Sequence, residues 1–124
     1  MTNQDSAQNS AKYPMKYKVG KVSEFQDGTK KRVVVVIKDP KNPEGRSEAI
    51  MVCLIKEKFY ATSDLCTHAT ASLTAGKLCD YEIECGRHGA KFDVRTGEVK
   101  ALPAAIAIKV YKVMVEEGEI FIEI

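Results

Sequence analysis

The apolar residues of this chain fall in short runs. Arg32–Lys38 encloses a continuous Val/Ile series and Ala49–Ile55 is a second one. Clustered β-branched residues bounded by turn formers predict strands. Between these two runs lies Asp39-Pro40-Lys41-Asn42-Pro43-Glu44-Gly45, whose prolines, Asn and Gly predict a loop and hence a long hairpin. Lys58–Thr62, Glu82–Glu84 and Lys91–Val94 are shorter strand candidates, the last followed by Arg95-Thr96-Gly97, a tight-turn sequence. Lys109–Val115 and Glu119–Ile124 flank Glu116-Glu117-Gly118, and their alternation of apolar with charged residues predicts a terminal hairpin with one wet face. The best helical candidate is a turn at Ser23-Glu24-Phe25 with Ser23 as its cap. No repeat and no linker interrupts the pattern, which predicts one all-β domain.

Composition narrows the classes. The chain has 124 residues, the size of one domain, and its 44% hydrophobic and 29% charged residues are those of a soluble globular protein. Lys+Arg number 19 against 17 Asp+Glu, a net charge of +2, too weak a bias to argue for nucleic acid or an anionic membrane. Neither of the wholly apolar runs, Val33–Ile37 and Ala49–Ile55, approaches the roughly 20 residues of a spanning helix. Residues 1–14 are polar at their start, with no apolar segment of the secretory kind, and are expected to form a disordered tail before a domain at 15–124. A reducing cytoplasm is the expected compartment, where the four cysteines serve as thiols or metal ligands rather than disulfides.

Candidate chemistry sits mid-chain. Cys66-Thr67-His68 is followed, after sixteen residues, by Cys85-Gly86-Arg87-His88, and these two pairs contain every histidine of the chain. Gly86 and Gly89 bracket the second pair, and the small residues Ala69, Thr70 and Ala71 follow the first. Thiolate and imidazole at short spacing, repeated from a second turn-rich segment, suit two loops gripping a metal centre. Structural zinc is the competing occupant, although its usual spacing pairs like ligands, C-x₂₋₄-C with H-x₃₋₅-H. A two-iron two-sulfur centre with two cysteines on one iron and two histidines on the other takes one ligand to each iron from each loop. Cys53, inside an apolar strand, is expected to be a buried small hydrophobe, Cys79 a partly exposed thiol in a turn, and the two are not expected to pair. Ala104–Ile108 is expected to pack around a loop rather than line a substrate groove.

The C-x-H-x₁₆-C-x₂-H motif, followed by Gly89-Ala90-Lys91-Phe92-Asp93 and a later Leu102-Pro103-Ala104 loop, resembles the Rieske domain from about Lys16 to the C-terminus. The resemblance implies three stacked antiparallel sheets with the cluster at one tip, held by two loops and covered by a third containing Pro103. It implies that Cys66 and Cys85 bind an inner iron, and His68 and His88 an outer, exposed one. Respiratory members carry a disulfide at positions matching Ala71 and Arg87, and a serine and tyrosine at positions matching Ala90 and Phe92; this chain has none of the four. Gly86 stands where proline is common. Hydrogen bonds to cluster sulfurs stabilise the reduced, more negative state, so their loss predicts a potential on the order of −150 to −100 mV, at the low end of the Rieske range.

Function follows from the same residues. With both histidines committed, no 2-His-1-carboxylate site can be built, and no G-x-G-x-x-G marks a nucleotide cofactor. The expectation is a non-enzymatic carrier of single electrons, resembling the soluble ferredoxins that pass electrons from a flavin-dependent reductase to a terminal oxygenase. Docking is expected at the cluster tip, at His68, His88, Thr67, Ala69, Arg87 and Pro103, through a transient interface of under roughly 1,200 Å². Charge is uneven along the chain: residues 1–62 carry 12 Lys+Arg and 7 Asp+Glu, and residues 63–124 carry 7 and 10. The alternatives are a Rieske-like small subunit of a nitrite-reductase-type enzyme and a zinc-stabilised interaction module.

Overall fold

A computed structural model describes residues 15–67, 71–86, 89–102 and 106–124. The expected tail at 1–14 falls outside them except as its boundary with Met15. Ten strands follow one another: β1 (Lys16–Lys21), β2 (Lys30–Asp39), β3 (Asn42–Ile55), β4 (Lys58–Ser63), β5 (Lys77–Cys79), β6 (Glu82–Glu84), β7 (Lys91–Asp93), β8 (Val99–Ala101), β9 (Val110–Glu116) and β10 (Glu119–Glu123). Among the described residues there is no α-helix, and no helix long and apolar enough to cross a membrane.

Six strands form an antiparallel ladder in the order β1-β10-β9-β4-β3-β2, and β5-β6-β7-β8 form a second sheet. Strand β9 changes partner along its length: Val110 and Tyr111 pair with β4, while Lys112–Glu116 pair with β10. The ladder is therefore two sheets joined through β9, which with the four-stranded sheet makes the three expected. Strand β3 feeds both cores through the two-residue period of a strand. Ile50 and Val52 pack with Val19, Val35, Ile37, Ile120 and Ile122, whereas Met51, Cys53 and Ile55 face the four-stranded sheet with Ile83 and Phe92.

Several local expectations are corrected. The Asp39–Gly45 segment is a tight turn at Pro40-Lys41 and not a loop: Asp39 Oδ1 accepts the N–H groups of Lys41 at 2.9 Å and Asn42 at 2.8 Å, and β3 begins at once. Pro43 is tolerated because β4 pairs only with Ile50–Ile55, leaving this arm of β3 with one neighbour. Ser23 is not a cap. It lies inside a 3₁₀ turn, Val22–Glu24, closed when Glu24 Oε1 accepts the Lys21 N–H at 2.9 Å. Strands β5 and β8, three residues each, are too short to show an apolar alternation and form because neighbouring strands supply hydrogen bonds, whereas β1, also not predicted, does alternate, with Tyr17 and buried Val19 between lysines. The two predicted turns are present, with Gly97 at φ +83° and Glu117-Gly118 at +51° and +77°, the pair of positive φ values that a type I′ hairpin needs.

Candidate metal centre

The two cysteine-bearing segments are closed in the same way. Leu65 bridges Ser72, and the Cys66 N–H donates to the Ala71 carbonyl at 3.0 Å. At the end of β6 the Cys85 N–H donates to the Ala90 carbonyl at 2.7 Å, and the Gly89 N–H returns to the Cys85 carbonyl at 3.1 Å. Each loop is thus cinched from its cysteine to the carbonyl five residues on. Gly89 has φ +76°, a conformation that favours glycine. His68, Ala69, Arg87, His88 and Pro103 lie outside the described residues, so the implied ligand set is observed only through its cysteines.

Those cysteines come together. Cys66 is 2% exposed and Cys85 1%, and both enter the core containing Leu73, Ala90 and Phe92. No disulfide joins any of the four cysteines. Two buried thiols capping one apolar core, each heading a loop that holds a histidine further along, fit a centre with a cysteine pair inside and a histidine pair outside. Among the described residues no group of three or more His, Cys, Asp and Glu is placed to hold a metal. Ala90 and Phe92 are fully buried, and neither side chain carries a hydroxyl.

A third segment is tied to the first loop, as the Thr67 hydroxyl donates to the Ile106 carbonyl at 2.7 Å. Of Ala104–Ile108, Ala104 and Ala105 lie outside the described residues; Ile108 packs in the core as expected, whereas Ile106 is 66% exposed and belongs to the surface. Leu65 and Leu102, at 54% and 80% exposure, add to an open apolar rim on the segments around the loops.

The carboxylates beneath the loops were missed by sequence reasoning. Asp64, 2% exposed and two residues before Cys66, is surrounded by donors: Arg32 Nε at 3.1 Å and Ser72 Oγ at 2.6 Å on Oδ2, and the Thr74 N–H at 2.8 Å and Thr74 hydroxyl on Oδ1. Its backbone ties the loop to β3 through Ala49 and to Leu73. Under the second loop Asp93 accepts from the Arg95 backbone at 2.8 Å and its guanidinium at 3.1 and 2.8 Å, and these bonds hold its carboxyl below the usual carboxylate range. Arg95 in turn stacks on Tyr81 at 4.0 Å. Asp64 lies in a turn-rich segment and Asp93 near the end of a predicted strand, and nothing local marks either as buried.

The remaining cysteines behave as expected. Cys53 is fully buried, which pushes its thiol up to about 12 although Lys30 pulls the other way, and Cys79 is exposed.

Comparison with known proteins converges on the same centre. The sequence matches the Rieske 2Fe-2S domain over residues 15–112. It is 42% identical over 77 residues to the ferredoxin component of biphenyl 2,3-dioxygenase from Rhodococcus jostii (strain RHA1), covering 62% of this chain and 72% of that one. It is 38% identical over 105 residues to Ferredoxin CarAc from Metapseudomonas resinovorans, covering 85% and 90%. Among solved structures, a ferredoxin in the complex of reduced oxygenase and oxidized ferredoxin of carbazole 1,9a-dioxygenase superposes with a TM-score of 0.73 at 36% identity, over 86% of this chain and 91% of that one. The buried cysteine pair, the two matched loops and these likenesses agree, and the chain belongs to the Rieske 2Fe-2S domain family, whose two-iron two-sulfur cluster it carries.

Proposed function

We propose that this protein is the ferredoxin of a ring-hydroxylating oxygenase system, accepting electrons from a flavin-dependent reductase and delivering them to a terminal oxygenase. When bound, the cluster supplies a single one-electron couple. In this reading Cys66 and Cys85 hold the inner iron from inside the core, and His68 and His88 hold the outer one. Burial of both cysteines screens that side from water and leaves the histidine side as the way in and out for electrons. Leu65, Leu102 and Ile106 form a small apolar rim there, suited to brief contact with a partner. Thr67 and the Ile106 carbonyl brace the rim. The protein needs no organic substrate site of its own, and its place in the cell is with its partners, for which the cytoplasm is our reading.

The observation that carries this is the pair of identically closed loops, each headed by a buried cysteine, under an exposed apolar rim. The relatives at 38% and 42% identity are ferredoxins, which favours this reading over a permanent subunit of a larger reductase. The test is reconstitution. Purified protein should contain two irons and two labile sulfides, with two nitrogen ligands on one iron, and should pass electrons from a flavin reductase to the oxygenase components of the carbazole, biphenyl or p-cumate systems. Cys66→Ser and Cys85→Ser should lose the centre while Cys53→Ser keeps its spectrum. A colourless zinc protein, or an unaltered native spectrum in Cys85→Ser, would refute the assignment.

A further inference from the structure

The sheet face that β3 turns toward the cluster loops is only half covered. Ile55, Cys53 and Met51 lie under the four-stranded sheet and are buried, but the next two positions on that face, Ala49 and Ser47, emerge from beneath it. Opposite them in register stand Val34 and Val36, 48% and 53% exposed. Gly45 continues the face: a Cβ there would come within 2.6 Å of Val36 Cγ1, so the backbone lies close beneath that valine. At its inner end the face opens into a cavity of about 150 Å³ lined by Arg32, Ala49, Asp64, Leu65, Ala71 and Ser72. Leu65 and Ala71 belong to the first cluster loop, so the open face is continuous with the tip. From Arg32 to Val36 it extends about 13 Å at 3.3 Å per residue.

Charge on this face has one sign. Strand β2 places Lys30, Arg32, Val34 and Val36 in succession on this face, and the paired residues of β3 contribute no Asp or Glu. The one carboxylate at its edge, Asp64, is buried and already paired with Arg32. The opposite face of the same hairpin carries Glu48 and Arg46. A second copy of this chain would set Lys and Arg against their own kind, and the charged edge of β2 opposes strand addition for the same reason.

Resting on the ferredoxin reading above, we propose that the terminal oxygenase docks along this hairpin face as well as at the cluster tip, seating an apolar patch on Val34, Val36 and Ala49 and carboxylates beside Lys30 and Arg32. The tip alone places an iron near the acceptor. The face fixes the angle of approach, because a second contact displaced from the tip removes rotation about the first.

The test uses loaded full-length protein and the purified oxygenase of the carbazole 1,9a-dioxygenase system, reading the half-saturation of electron delivery. Val34→Glu/Val36→Glu should weaken it about tenfold. Val34→Thr/Val36→Thr, which keeps the β-branched shape, should weaken it less, and Val115→Glu, at an equally exposed valine of β9, should leave it unchanged. The visible spectrum and potential of all three should match the parent. If Leu65→Glu impairs delivery while Val34→Glu/Val36→Glu does not, the partner touches the tip only and this inference falls while the ferredoxin reading stands. Slower reduction by the reductase with unaltered delivery, or a dimer that Val34→Glu/Val36→Glu dissociates, assigns the face to another occupant and overturns it. A parent protein that reduces no oxygenase overturns both.

Discussion

Replacing Asp64 by Asn removes one charge and changes almost no volume, and the structure says which bonds survive. Asn Oδ1 can still accept from the Thr74 N–H and hydroxyl, which meet Asp64 on one oxygen. The amide nitrogen then replaces the oxygen that faces Ser72 Oγ and Arg32 Nε. The Ser72 hydroxyl can rotate to accept, but the guanidinium has only donors and must turn away. Arg32 is 53% exposed, so its release into water costs only about 1 kcal/mol, and an imperfectly paired amide in a buried site adds about 1 kcal/mol more. Asp64→Asn should therefore lose about 2 kcal/mol. Asp64→Ala leaves the buried Thr74 N–H and two hydroxyls with no acceptor and should lose about 4 kcal/mol. With a urea m-value of about 1.5 kcal/mol/M for a domain of this size, the midpoints should fall by about 1.3 M and 2.7 M. Urea unfolding of loaded protein, followed by far-ultraviolet circular dichroism, measures both, and visible absorbance should be lost with or before the fold because Cys66 is two residues away. Midpoints of Asp64→Ala within about 0.3 M of the parent would refute the claim that this carboxylate holds the first loop in place.

Gly76→Ala should be strongly destabilising, by about 2–4 kcal/mol, since its Cβ would stand 2.0 Å from the Glu84 carbonyl oxygen on the strand leading to Cys85; a melting temperature unchanged from the parent would contradict it. Ala90→Ser with Phe92→Tyr should raise the reduction potential by adding hydroxyls at two fully buried positions, and a parent value above about +100 mV in film voltammetry would reject the low-potential reading. Because Arg95 holds the Asp93 carboxyl below its unfolded value near 3.9, that pair stabilises the fold above this pH, and its contribution is lost as pH falls through the lower folded value. The stability gap between the parent and Arg95→Ala should be present at pH 6 and narrow below pH 4; a gap independent of pH would place the cost of Arg95→Ala in its stacking on Tyr81 instead.

Much of this protein is written locally. The Val/Ile runs of β2 and β3, the alternation in β9 and β10, and the turns at Gly97 and Gly118 follow from side-chain shape and backbone freedom within a few residues, which is why they were legible. The candidate ligand motif stands out for another reason: a metal centre demands particular atoms, and the C-x-H and C-x-x-H pairs that begin at Cys66 and Cys85 offer thiol and imidazole groups at loop spacing. Tertiary structure decided what depends on neighbours distant in sequence. Strands β5 and β8 are three residues each and exist only because β6 and β7 lie beside them. Val34 and Val36 sit in an all-apolar run and yet stand open, because the sheet that covers Met51 and Cys53 ends before it reaches them. Asp64, in a turn-rich segment, and Asp93, at the end of a predicted strand, are both buried, which no local pattern marks. A carboxylate can be buried only where several donors converge on it, and Arg32, Ser72 and Thr74 meet Asp64 from two segments that no local pattern brings together.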